Sequence, residues 1–247
     1  MLLLVCACGR VGFDPSGAHS GDAAAADGPG DGAADAAPGD ALPADLVAYF
    51  PLDGTFDDVV GGPAGTCTPP QCPVAQVAGH LGAAMRFDGT DDCVSIPDLG
   101  QFDVPQLTIA IWANEDSPLV VDECQVSKRV DGTGGPLDSW QLETSGTPTE
   151  EALTIDHSAN GNDQIVANNV ITAGVWQHIV ATFDGFNERL YVDGALVDMG
   201  GNSAALRYGT FPVLIGCDDN GTLQEHYQGM LDELRVYKRA LTEAEIQ

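Results

Sequence analysis

The sequence predicts an all-β domain of two stacked antiparallel sheets, preceded by a long tract without folded structure. Three observations point there. Short apolar runs bounded by Gly, Asp and Pro recur from Leu46 onward with no helical stretch between them. Leu107 to Trp112 alternates, with Leu107, Ile109 and Ile111 on one side and Thr108, Ala110 and Trp112 on the other. Asp193-Gly194 separates two strand-like runs, a hairpin signal because both central residues must reach positive φ. The 30 Gly, 15 Pro and 6% aromatic content agree, since they favour turns and strands over long helices.

Taken in order, the strand-like pieces are "LVAYFPLDG" from Leu46, "AAMRFDG", "CVSIP", "LTIAIWAN", "VWQHIVATFDG", "RLYVDGALVD" and "PVLIG", closing with "GMLDELRVYKR" at 229–239. Only "ALTEAEIQ" reads as helical, one turn in which Thr242 and Glu245 form a capping box. In the 229–239 segment, simple alternation puts Asp232 on the face of Met230, Leu234 and Val236, with Leu231, Glu233, Arg235 and Tyr237 opposite. A carboxylate on an apolar face costs several kcal/mol unless it is paired, hydrogen-bonded or metal-bound.

The N-terminal residues "MLLLVCACGR" combine a short apolar run with small residues, like the end of a secretion signal. Val5-Cys6-Ala7-Cys8 resembles a bacterial lipobox, which implies Cys8 as the lipidated residue. Residues 1–8 are thus read as a signal remnant. Residues 9–45 are rich in Ala, Asp, Gly and Pro and read as a disordered, self-repelling linker, and 46–247 as the folded domain. No stretch is long enough to span a bilayer, so a lipid anchor is the expected membrane attachment.

The chain carries 37 acidic residues against 9 basic ones, a formal net charge of −28. Such a field repels nucleic acid and anionic lipid surfaces and suits cation binding. Enzyme signatures are missing. No Glu-x-Asp-x-x-Glu strand occurs, and "NEDSPLVVDE" and "TEEALTIDH" lack the spacing of a glycosidase acid pair. His178, inside "WQHIV", reads as a hydrogen-bonded sheet histidine, and Trp112, Trp140 and Trp176 read as core, with Trp140 in "DSWQLE" the candidate for stacking on a sugar.

Of the 7 cysteines, Cys67 and Cys72 bracket "TPPQ" in a tight loop and are expected to bond to each other. Cys93, Cys124 and Cys217 allow only one further bond. Zinc is disfavoured, because no Cys-x-x-Cys pair occurs and His is scarce.

The pieces "LVAYFPLDG", "FDGTDDCVSIP", "LTIAIWAN", "SKRVDG", "VWQHIVATFDG", "RLYVDGALV", "LIG" and "GMLDELRVYKRALTEAEI", in this order, resemble the laminin G-like domains of the concanavalin A-like lectin/glucanase superfamily. The resemblance covers essentially all of 46–247. It implies a jelly-roll sandwich, recurrent calcium sites, and binding of carbohydrate or protein at loops or on a concave face. By that resemblance a structural calcium falls to Asp232, with Asp53, Asp88 and the carbonyl of Gly89 as co-ligands. The alternative for Asp232 is acceptance of backbone amide hydrogen bonds at the sheet edge. By analogy with pentraxins, Asp131, Asp218, Asp219 and Asn220 form a ligand-facing calcium site, the alternative being two ordinary polar turns. The related fold also brings the loops of Cys124 and Cys217 together, which implies their disulfide and leaves Cys93 free. The expected protein is a non-catalytic, calcium-dependent module of the cell envelope, lipid-anchored or secreted, recognising a glycan or an extracellular protein. The rivals are a hydrolase with an atypical acid pair and a purely structural surface protein.

Overall fold

The hydrophobic periodicity closes into two antiparallel sheets in the computed structural model, which describes residues 42–76, 78–117, 122–130, 138–157, 161–201, 203–219 and 222–247. The proposed signal, Cys8 and nearly all of the linker lie outside the described residues. The strands are β1 (Leu46–Phe50), β2 (Val74–Gln76), β3 (Ala84–Asp88), β4 (Val94–Ile96), β5 (Leu107–Glu115), β6 (Glu123–Arg129), β7 (Asp138–Thr144) and β8 (Glu151–His157). They continue with β9 (Gly161–Ala167), β10 (Gln177–Phe183), β11 (Asn187–Val192), β12 (Ala195–Gly201), β13 (Val213–Ile215), β14 (Asp218–Asp219), β15 (Leu223–Gln224) and β16 (Gln228–Tyr237). One sheet runs β12-β11-β10-β5-β16-β3-β2, with β1 also on β16; the other runs β4-β13-β6-β7-β8-β9.

The inward residues of both sheets form one core. Leu107, Ile109, Ile111 and Ala113 of β5 meet Val126 of β6, Trp140 and Leu142 of β7 and Leu153 and Ile155 of β8. Asp193 (φ 50°) and Gly194 (φ 75°) make the β11–β12 hairpin turn. The helix α1 (Glu243–Ile246) lays Ile246 over Ala110, Val180 and Tyr191 on the outer face of the eight-stranded sheet. Its cap is the expected box: Glu245 accepts from the Thr242 backbone N–H at 2.8 Å and from the Thr242 hydroxyl at 2.8 Å.

Simple alternation fails in β16, and a bulge explains why. Its register against β5 shifts between Asp232 and Arg235, and Glu233 takes a φ of 57°. The extra residue reverses the parity. Leu231, Leu234 and Val236 therefore share the core, while Asp232 lies outward, opposite Trp112. Beyond the bulge, Arg235 donates to Glu233 at 2.5 Å and lies over the Tyr49 ring at 4.4 Å.

Two disulfides occur among the described residues. Cys67 joins Cys72, as the tight loop predicts. Cys93 joins Cys217, with Cα atoms 5.4 Å apart, and Cys124 is free and buried. The expected Cys124–Cys217 bond is thus replaced. β13 lies between β4 and β6, so Ile215 faces both Val94 and Val126, and Cys217 has a cysteine-bearing strand on either side. On the β4 side Cys93 directly precedes Val94. Cys217 packs with Cys93 and Leu214 in one buried cluster that does not include Cys124, which lies opposite Glu143 of β7.

Candidate functional site

Asp232 is fully buried, yet its partners are backbone amides: its Oδ2 accepts from His80 N at 2.8 Å and Leu81 N at 3.0 Å. Asp53 holds the same turn by accepting from Ala83 N at 2.6 Å. The two carboxylates clamp the Gly79–Ala83 turn onto the sheet, the hydrogen-bonding alternative weighed for Asp232. Burial, with a smaller contribution from Glu233 and Asp53, pushes the Asp232 carboxyl up to about 7. Replacing Asp232 by Ala leaves two amides without an acceptor and is expected to cost about 2–3 kcal/mol, measured by urea unfolding.

Asp88 and Gly89 do not join this pair. The β3–β16 register sets Asp88 against Gln228 and Met85 against Leu231, so Asp88 lies at the far end of β3 from the Asp232 turn. There it caps its own loop, accepting from Thr90 N at 2.8 Å, in a carboxylate group with Asp91 and Asp92. Gly89 donates its N–H to the Tyr227 carbonyl at 3.0 Å. The single calcium set of Asp53, Asp88, Gly89 and Asp232 is therefore divided between two places by strand register.

The second predicted set is partly visible, Asp131 and Asn220 lying outside the described residues. Asp219 pairs with Arg129 at 3.0 Å. Asp218 and Asp138 are both buried, and burial raises both carboxyls, with the Asp218 charge adding to the rise at Asp138. Beside them on the outer face of the six-stranded sheet runs a polar network. Gln141 donates to Glu225 at 2.9 Å and Glu143 at 3.2 Å, and Gln164 donates to Glu143 at 3.2 Å. Burial, then the charges of Glu225 and Asp122, push Glu143 up to about 7. The sequence signal for this row is the parity of "DSWQLET": once Trp140 and Leu142 point inward, Gln141 and Glu143 must point out. The same parity overturns Trp140 as a sugar-stacking surface. It is fully buried, edge-on to Phe102 with centroids 6.4 Å apart.

At the edge of this face a cleft of about 290 Å³ opens between the Cys67–Cys72 loop and the β13–β15 segment. Thr66, Thr68, Gln71, Ser95 and Asp219 supply its polar wall, and Leu214 and Leu223 its apolar one. The two disulfides brace both sides: Cys67 and Cys93 line it directly. Hydroxyls and an amide beside small apolar surface are a lining suited to a sugar ring.

Elsewhere, His178 sits in β10 as a sheet residue stacked on Trp112 at 4.9 Å, and Trp112 stacks in turn on His80 at 3.3 Å. His157 Nδ1 donates to the Ala204 carbonyl at 2.9 Å and its Nε2 lies 2.7 Å from Glu188, with Asp163 close by. Both ring nitrogens of His157 therefore have partners.

Comparison with known proteins adds three findings. A family model described as the concanavalin A-like lectin/glucanases superfamily matches residues 88–247. Among curated proteins nothing matches the sequence. Among solved structures, domain 4 of AbnA, a GH43 extracellular arabinanase from Geobacillus stearothermophilus, in complex with arabinotriose, aligns with a TM-score of 0.61 at 18% identity, covering 82% of this chain and 96% of that one. The binding domain of Paraclostridial Mosquitocidal Protein 1 aligns with a TM-score of 0.60 at 15% identity over 82% of this chain and 51% of that one. The ligand binding domain of botulinum neurotoxin serotype D, in complex with N-acetylneuraminic acid, aligns with a TM-score of 0.61 at 8% identity over 82% of this chain. The chain spans about half the length of the toxin domains, 51% and 49%. These likenesses establish the jelly-roll fold.

Proposed function

Because the chain belongs to the concanavalin A-like lectin/glucanase superfamily, we propose that it is a non-catalytic glycan-binding module of the cell envelope, taking a sugar in the cleft beside Asp219. The observation that carries the reading is that cleft, a braced opening of about 290 Å³ with hydroxyl, amide and carboxylate groups on one wall. Two structural relatives support it, one in complex with arabinotriose and one with N-acetylneuraminic acid. Calcium belongs to the proposal at the outer face, where Asp218 and Asp138 offer paired carboxyls next to the cleft residue Asp219. The two disulfides suit an oxidising compartment, no helix among the described residues is long and apolar enough to cross a membrane, and an acyl chain on Cys8 is the proposed anchor. The net charge of −28 argues against nucleic acid as the partner.

An array containing arabino-oligosaccharides and sialylated glycans, read with calcium and with chelator, tests this. Binding is expected, weakened about tenfold by Gln71→Ala or Leu223→Ala, a loss of about 1.4 kcal/mol each. Failure to retain any glycan, or sustained release of new reducing ends, overturns it.

A further inference from the structure

A second acidic group lies between the sheets, away from the cleft. Glu115 ends β5, Glu151 starts β8, Gln125 belongs to β6 and Tyr227 directly precedes β16. Core parity turns Glu115 inward after Ile109, Ile111 and Ala113, and Glu151 inward before Leu153. The register shift of β6 against β7 between Cys124 and Val126 makes Gln125 the extra residue and turns it inward, toward Glu115 and Glu151. Tyr227 packs edge-on to Phe87 with centroids 6.2 Å apart.

Glu115 is 3% exposed, and Gln125, Glu151 and Tyr227 are each 0% exposed. Gln125 Nε2 donates to Glu115 Oε1 at 3.3 Å and to Glu151 Oε2 at 3.2 Å, so one amide bridges two carboxylates. Four oxygens remain without a hydrogen-bond partner among the described residues: Glu115 Oε2, Glu151 Oε1, Gln125 Oε1 and the Tyr227 hydroxyl. Nearby Arg86 is committed to Asp116. Burial of two carboxylates with only an amide between them costs several kcal/mol unless positive charge enters.

We propose that Glu115, Glu151, Gln125 and Tyr227 form an internal site for a hard divalent cation, calcium by its donor set, that ties the two sheets together. Gln125 Nε2 now holds one oxygen of each carboxylate; with that amide turned over so that Oε1 faces them, the four side chains would present six oxygens, the lower end of calcium's coordination range, and no nitrogen or sulfur ligand. Two carboxylates match a charge of +2. The end of β5 and the start of β16 belong to one sheet and the starts of β6 and β8 to the other, so the ion cross-links the layers where no disulfide among the described residues does. This site is separate from the outer-face carboxyls and holds whether or not the cleft takes a glycan.

The test uses the full chain stripped with chelator and desalted. Calcium chloride is expected to raise the melting temperature by 5 °C or more, with at least one ion retained per chain by elemental analysis. Terbium should bind in its place, with luminescence on aromatic excitation that falls at least fivefold in Tyr227→Phe. Glu151→Gln should lose one retained ion and the calcium response. Tyr227→Phe, which removes one oxygen and keeps the ring, serves if Glu151→Gln does not fold. A calcium response undiminished in both variants places the ion elsewhere and overturns the proposal. So does a wild-type protein indifferent to calcium, and a Glu151→Gln variant that is then more stable in chelator would show carboxyls kept neutral by protons.

Discussion

Replacing both Cys93 and Cys217 by serine is expected to lower the melting temperature by roughly 10–15 °C. The bond joins residues 124 apart in sequence. In the chain-entropy picture a loop of that order restricts the unfolded ensemble by about 4–5 kcal/mol, and a domain of this size loses about 2–4 °C per kcal/mol. Cys67–Cys72 closes a loop with a sequence separation of only 5, and its removal should cost visibly less. Calorimetry of the two double variants compares them directly. Equal losses would mean that the long bond contributes little through the unfolded chain.

Mild acid is expected to stabilise this protein, against the usual behaviour of acidic domains. Burial holds Asp232 and Glu143 up at about 7, whereas in the unfolded chain they ionise near pH 4. Between those values the folded state binds more protons, so stability is full below about pH 4.5 for these groups and is lost as pH rises through about 7. Asp184 and Glu245 work in the opposite sense. Asp184 is held down to about 2 by the hydrogen bonds of Asn187, Arg189 and Phe186, which outweigh its burial, and Glu245 to about 2 by Arg239 and Thr242. Their stabilisation disappears only below about pH 4. Three units correspond to about 4 kcal/mol per group at most, and relaxation and solvent reduce that to about 1–2 each. In chelator, the melting temperature should climb by roughly 4–10 °C from pH 8 to pH 5 and fall again below pH 4. A melting temperature that rises steadily from pH 5 to pH 8 would contradict the raised carboxyls.

Elements whose cause is local were legible in the sequence. The β5 alternation, the Asp193-Gly194 turn and the Thr242–Glu245 cap each depend on a few adjacent residues. Features set by pairing between distant strands were not. The bulge at Asp232–Arg235 reverses the parity of the last strand, and nothing within "GMLDELRVYKR" announces it. The choice of Cys93 over Cys124 follows from the place of β13 between β4 and β6, which sets Cys217 in one cluster with Cys93 and Leu214, and the separation of Asp88 from Asp232 follows from the β3–β16 register. The cleft needed three chain segments in contact, and only its cysteine loop was visible beforehand.

The central position of β16 reaches back to biogenesis. This strand, the last of the sheet to be synthesised, lies between β5 and β3 and also carries β1, so the first strand among the described residues pairs with the final one. The eight-stranded layer therefore cannot assemble on the ribosome before residues 228–237 have emerged, and such non-local pairing makes folding slow. Until then β1 has no partner in this layer, and its edge stays unpaired while residues 51–227 are made.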